Sequence, residues 1–400
     1  MNWFARVSDE KRNVFLLAAC SALLMTGSTL MMLLSSIVGD WLLIEDKALA
    51  TLPVTAMVVG TLTTTIPASL WMLRVGRRYG FMTGAGFGVI GGLVAALAIY
   101  WKLFPLFCVG TLLMGSYNAF GQYYRFAAAD ASIGPFKGRA VSYVLTGGVV
   151  AAVCGPEVAK FTRDLFPDLL YVGSYLTLTV LAAVAMLTLS FINIPPPSAA
   201  ERTGGGRPLL VIARQPVFVV AVLSSLVSYT AMSTVMTATP LAMGLCALPL
   251  EDAAFVIQWH ALGMFAPGFV TGHLIRRFGV LSVMIAGGVL LVLASLINLH
   301  GITLTHFWVA LFILGVGWNF MFVGGTTLVT EAYAPAERAK TQAFNDFLVF
   351  GSVAAGSFLS GNLLYFFGWG SVNYSVLPIL MVTIAASAWL ALRRRATVPA

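Results

Sequence analysis

The amino-acid sequence predicts an all-α membrane protein: twelve transmembrane helices in two pseudo-symmetric six-helix bundles, with both termini cytoplasmic. Three observations predict it. The 400 residues are 59% hydrophobic and only 10% charged, where a soluble domain carries roughly a quarter of its residues as charges. Nineteen of the 23 lysines and arginines fall in every second gap between apolar runs, and cationic loops stay cytoplasmic because translocating them is costly. The two halves of the chain also echo one another at a spacing of about 200 residues.

A crossing helix needs about 20 apolar residues to pass roughly 30 Å of hydrocarbon. The first run, 13–37, follows Arg6, Lys11 and Arg12. No small-x-small cleavage site follows it, so it is expected to be a retained helix and not a leader. Runs 48–73 and 81–100 flank Arg74, Arg77 and Arg78. Runs 104–129 and 140–161 flank Lys137 and Arg139, with Arg125 close by. Run 168–193 leads into Pro195-Pro196-Pro197 and Gly204-Gly205-Gly206, with Arg202, Arg207 and Arg214. Proline and glycine clusters end helices and leave a polar connection. Runs 215–241 and 251–275 then precede Arg276 and Arg277; runs 279–299 and 304–332 precede Arg338 and Lys340. Runs 340–367 and 370–392 end at Arg393, Arg394 and Arg395. Only Lys47, Lys102, Lys160 and Arg163 fall on the opposite side. The expected organisation is a six-helix bundle over 1–194, a cytoplasmic linker over 195–214 and a second bundle over 215–400.

Four elements recur in the same order. Arg74-Val75-Gly76 is echoed by Arg277-Phe278-Gly279, and Tyr117-Asn118 by Trp318-Asn319. Asp130, Pro135 and Arg139-Ala140 are echoed by Glu331, Pro335 and Arg338-Ala339. Parallel repeats about an axis along the membrane normal are a transporter architecture with the substrate held between the halves.

At these residues the whole chain resembles the major facilitator superfamily. That family's signature after its second helix, Gly-x-Leu-x-Asp-Arg-x-Gly-Arg-Arg, is matched by Ser69-Leu70-Trp71-Met72-Leu73-Arg74-Val75-Gly76-Arg77-Arg78. The arginines and the central glycine are kept; Leu73 stands at the acidic position, as Arg276 does in the second half. The resemblance implies a gating role for Arg74, Arg77 and Arg277, with Asp130 and Glu331 as the available acidic partners. Gly155-Pro156 matches an exporter kink in the fifth helix, but the flanking glycines are replaced and no arginine lies between Leu106 and Gln122 of the fourth. Gln122-Tyr123-Tyr124-Arg125-Phe126 through Asp130, with Gly155-Pro156-Glu157, is similar to a proteobacterial subgroup associated with riboflavin uptake.

The resemblance places the first, fourth, seventh and tenth helices along a central path. At about 1.5 Å per residue, Asn118 and Asn319 lie some 20 Å from the outer ends of their helices, near mid-membrane. An amide in hydrocarbon needs a partner, so each is expected to face the path or to bond a neighbouring helix. Tyr117, Trp318 and Tyr229 bring rings, Gln122 a further amide, and Thr26, Ser28, Thr29, Ser228, Thr230, Ser233 and Thr234 hydroxyls. A cavity of this kind suits a planar, neutral, hydrogen-bonding solute; a phosphate would call for arginines. Ionisable groups within spans are candidates for proton coupling: Asp346 beside Gln342 and Asn345, then His260, which also counts among the substrate-binding candidates. Glu157 is a third, and an outer-rim ion pair with Lys160 or Arg163 accounts for it equally.

The expected partners are a small-molecule substrate, the lipid bilayer of the cell inner membrane and protons as coupling ion, the protein acting as a monomer. Seven scattered basic segments suit orientation better than nucleic acid. His260, His273, His300 and His306 lack metal-ligand spacing, and no phosphate loop appears, so neither metal, cofactor nor enzymatic activity is expected. The four cysteines carry no disulfide pattern. A proton-coupled drug or metabolite exporter and a non-transporting receptor or scaffold are the competing readings, since a fold does not determine its use.

Overall fold

A computed structural model describes residues 3–132, 140, 143–144, 146–194, 206–334 and 337–396. The connecting stretch 195–205, Lys137 and Arg139 lie outside the described residues, as do the side chains of Asp130 and Arg338. The chain separates into two compact units, residues 1–202 and 203–400.

In the first unit α1 is Trp3–Leu42, longer at both ends than its apolar run because the polar residues before Asn13 extend the same helix. α2, Leu52–Tyr100, is two helical limbs that meet at a corner, Gly76 at φ 85°, ψ 166°. The indole of Trp71 donates across that corner to Thr83 Oγ1 at 3.1 Å. The fourth pass is α3, Phe104–Gly121, continued after a break at Gln122 and Tyr123 by α4, Tyr124–Asp130. α5, Gly147–Thr162, and α6, Val172–Leu189, complete six passes.

The second unit opens with a short α7, Leu209–Ala213, and then α8, Pro216–Leu245. Its second pass, expected as one helix over 251–275, is two: α9, Leu250–Phe265, and α10, Gly268–Phe278, bent by 41°. α11, Val280–His300, and α12, Leu304–Val329, follow. α13, Arg338–Ala396, is again two limbs, turned at Gly368 (φ 78°). Among the described residues seven helices are individually long and apolar enough to cross a membrane, or eight counting the bent pair. Dividing α2 and α13 at their glycine corners and joining α3 to α4 yields six passes per unit.

The two units repeat one another in backbone as well as in sequence. Gly279 has φ 84°, ψ 151°, the corner conformation of Gly76, and Ala247 (φ 58°) repeats Asp46 (φ 53°) between the first two passes. Lipid tails are as apolar as leucine, so helices associate through close packing. Gly115 on α3 lies against the Met57 carbonyl of α2, and Gly315 on α12 repeats this against the His260 carbonyl of α9. Rows such as Ile90, Leu93, Leu97 and Val289, Leu293, Leu296 stay exposed at helical spacing, an apolar surface suited to hydrocarbon.

Candidate functional site

In the first unit the polar face belongs to α3. Asn118 and Gln122, one turn apart on the same face, are half-buried. Neither side-chain amide has a hydrogen-bond partner among the described residues. Tyr117 points elsewhere and corrects the expectation that it stacks on a ligand. It is 3% exposed, packed with Phe120, Tyr124 and Ala182, and a Cβ at Gly88 would strike its ring. One residue of rotation, about 100°, separates core from free face. Thr26 and Thr29 of α1 crowd Gly155 of α5; Thr29 Oγ1 donates to the Met25 carbonyl and Ser28 Oγ to the Leu24 carbonyl. Glu157 accepts from Lys160 Nζ at 2.6 Å, the ion pair that accounts for it without proton transfer.

The second unit concentrates its rings around Tyr229 of α8. Trp318 and Phe322, a turn apart on α12, stack at 5.0 Å with 10° between planes. Tyr229 meets both edge-on, each at 5.3 Å, and Phe350 of α13 approaches it at 5.9 Å. Edge-to-face packing is favourable because positive ring edges meet negative faces. The indole N–H of Trp318 is buried without a partner. Phe322 and Phe350 were missed by sequence reasoning; the four-residue spacing of Phe322 from Trp318 was the available signal. Of the hydroxyls expected here, two join helices and one bonds within α8. Thr230 Oγ1 donates to Ser352 Oγ at 2.8 Å, Ser233 pairs with Ser357 at 2.9 Å, and Ser228 Oγ donates to the Ser225 carbonyl.

Asn319 differs from its counterpart Asn118. It is 4% exposed; its Nδ2 donates to the Met264 carbonyl at 2.7 Å and its Oδ1 accepts from Thr271 Oγ1 at 2.6 Å. The expectation that it reaches a ligand is corrected: the amide is spent on α9 and α10. His260 is fully buried. Its Nδ1–H donates to the Leu311 carbonyl at 2.7 Å, while Nε2 has no partner. That bond sets the neutral tautomer, because a carbonyl only accepts. Asp346 Oδ1 accepts from Asn345 Nδ2 at 3.0 Å, and Asn345 Oδ1 is buried and unsatisfied.

At the basic ends the expected latch is rearranged. Arg74 is exposed, and Arg77 Nη1 approaches Met72 Sδ at 4.0 Å. Arg277 lies over the ring of Phe278 at 5.3 Å. Glu331 does not pair with it; Arg394 at the end of α13 donates to Glu331 Oε2 at 2.7 Å. Arg394 stands in the last turn of α13. A second ion pair was not foreseen. Arg207 grips Glu337 through Nε at 2.9 Å and Nη2 at 2.8 Å, and its own backbone N–H donates to the same carboxylate. Ala334 N–H adds a fourth donor at 2.9 Å. This guanidinium, with the two backbone donors, holds the Glu337 carboxyl far below its ordinary range. Gly206, at φ 93°, lies so close to Glu337 that a Cβ would collide with it. The glycine run read as linker therefore ends in a seated turn. Among the described residues no three His, Cys, Asp or Glu side chains gather where they can hold a metal ion.

Residues 222–400 match the model of the Major Facilitator Superfamily. The chain is 43% identical over 378 residues to the riboflavin transporter RfnT of Brucella anthropi, covering 94% of each protein. The chain belongs to the major facilitator superfamily. It is 29% identical over 366 residues to the uncharacterized MFS-type transporter YddS of Bacillus subtilis, covering 86% of this chain and 83% of that one. Among solved structures, the nucleoside transporter NupG aligns with a TM-score of 0.70 at 14% identity, over 93% of this chain and 99% of NupG. The human organic anion transporter MFSD10 (TETRAN) aligns with a TM-score of 0.65 at 15% identity, over 94% and 99%. These two share the fold. The superfamily member described here is thus a multi-pass membrane protein and a secondary transporter of a small molecule.

Proposed function

We propose that this transporter takes up riboflavin across the cell inner membrane by alternating access. The observation that carries the reading is the 43% identity, over 94% of both chains, to a protein named as a riboflavin transporter. The chemistry of each unit is consistent with it. Riboflavin joins a planar, uncharged, amphipathic ring system to a polyhydroxyl chain. The first unit offers the unpartnered amides of Asn118 and Gln122 for hydrogen bonding. The second offers the ring set of Tyr229, Trp318 and Phe322, with an unpartnered indole N–H. No arginine is needed, because the vitamin carries no phosphate. Asp346 and His260 are the groups proposed to exchange a proton with the medium during uptake. The protein acts as a monomer and catalyses no covalent step.

The test is growth of a riboflavin auxotroph lacking its own uptake system on scarce vitamin. Rescue should require the intact protein and should fall with Asn118→Ala and Tyr229→Ala at equal membrane expression. No rescue by the intact protein, with no binding of riboflavin to the purified transporter, defeats the assignment.

A further inference from the structure

The second pass of the second unit is broken at a place where its backbone must be supported from outside. Pro267 has no N–H, so the Gly263 carbonyl loses its helical donor. Beyond the break the bonds run from Phe269 N–H to the Ala266 carbonyl and from Val270 and Thr271 N–H to the Pro267 carbonyl. A bare carbonyl in hydrocarbon is costly, and broken helices persist in membranes only where neighbours satisfy them. Asn319 of α12 adds a donor at the next carbonyl. Its Nδ2 holds the Met264 carbonyl on α9, and its Oδ1 takes Thr271 Oγ1 on α10. One amide therefore spans the break, with one atom on each piece.

The Thr271 hydroxyl has a single proton and two acceptors within reach. Asn319 Oδ1 lies at 2.6 Å and the Pro267 carbonyl, in its own helix, at 2.8 Å. A turn of the hydroxyl about its Cβ–Oγ bond exchanges one bond for the other without moving the oxygen. The bond to α9 has no such alternative. The splint is therefore firm on one side and releasable on the other. The first unit lacks the device. Pro67, 200 residues before Pro267, sits inside helical backbone. There Tyr123 hydroxyl donates to the Thr65 carbonyl at 3.0 Å, and the counterpart amide of Asn118 is unpartnered.

We propose that α9 and α10 form a hinge at Ala266–Pro267, with Asn319 as its splint and the Thr271 hydroxyl as its releasable bond. Swinging α10, which carries His273, Arg276 and Arg277, opens and closes the basic end of this unit. Asn319 and Thr271 are positioning residues. They act on transport rate through the angle of α10 and do not touch the solute.

The experiment uses the full chain in lipid nanodiscs, with the four native cysteines replaced and spin labels at Glu251→Cys and His273→Cys. Without any ligand, the distance distribution should hold two populations. Thr271→Val, which keeps the shape and removes the hydroxyl, should shift their ratio about 5-fold, the effect of one ordinary hydrogen bond. Thr271→Ser, which keeps the hydroxyl, should not. Pro267→Ala restores the missing donor and should give one longer distance. With riboflavin as probe, Pro267→Ala should lower the maximal transport rate about 10-fold and leave its dissociation constant within about 2-fold. One narrow distance shared by the intact chain, Thr271→Val and Pro267→Ala overturns the hinge, as does full transport by Pro267→Ala. The ligand-free distances stand whether or not riboflavin is the solute.

Discussion

Asn118 and Asn319 occupy matching places in the two halves, yet truncating each to alanine should have opposite effects. Asn319→Ala removes two hydrogen bonds and takes the side-chain donor from the Met264 carbonyl in a site 4% exposed. Interhelical bonds in membranes average about 0.6 kcal/mol, and an orphaned buried carbonyl costs about 1–3 kcal/mol. The sum is roughly 2–4 kcal/mol, which for a unit of about 200 residues lowers Tm by about 4–16 °C. Asn118→Ala removes no intramolecular bond, because that amide has no partner among the described residues. Its effect on stability should stay within about 0.5 kcal/mol. The unsatisfied ligand group it leaves behind should raise the riboflavin dissociation constant about 10-fold or more. Differential scanning fluorimetry of the purified variants measures the first quantity, and quenching of riboflavin fluorescence the second. Equal destabilisation by both variants refutes the distinction drawn between the amides. An unchanged riboflavin dissociation constant in Asn118→Ala removes that residue from the site.

Other outcomes follow from the same contacts. The Glu337 carboxyl is held low chiefly by Arg207, then by Ala334 and Arg207 N–H, so its stabilisation is full above its ordinary value of 4.5 and fades as pH falls below it. The Tm difference between the intact protein and Glu337→Gln should therefore be level from pH 8 to about 5 and shrink toward pH 3; a gap that widens on acidification contradicts the ion pair. Asp346→Asn should abolish accumulation of riboflavin against a gradient while retaining exchange in proteoliposomes, and undiminished accumulation would remove Asp346 from coupling. Gly315→Val sets a side chain against the His260 carbonyl and should cost about 1–3 kcal/mol in thermal stability; tolerance without loss would mean that α9 and α12 are not in contact there.

What the sequence by itself determined is what a one-dimensional pattern can carry. Apolar runs long enough to cross, cations confined to alternate gaps and glycines echoed at Gly76 and Gly279 were enough for the fold class and for the repeat. Each is a local property, set by transfer to lipid, by translocation or by a backbone conformation open to glycine. Partner choice is not local. Tyr117 and Asn118 are neighbours in sequence, but a rotation of about 100° puts one in the core and leaves the other unpartnered. Helices that are apolar on every side carry no stripe that reveals this rotation. The same limit hid the fate of Asn319, whose partners lie 48 and 55 residues away, and the break beside Pro267 that it supports. It also hid Glu331 meeting Arg394 in place of Arg277, and Arg207 seating the end of a glycine run on Glu337. Only the packing of helix against helix decides which polar groups are satisfied within the protein, because burial and hydrogen-bond geometry are properties of that packing.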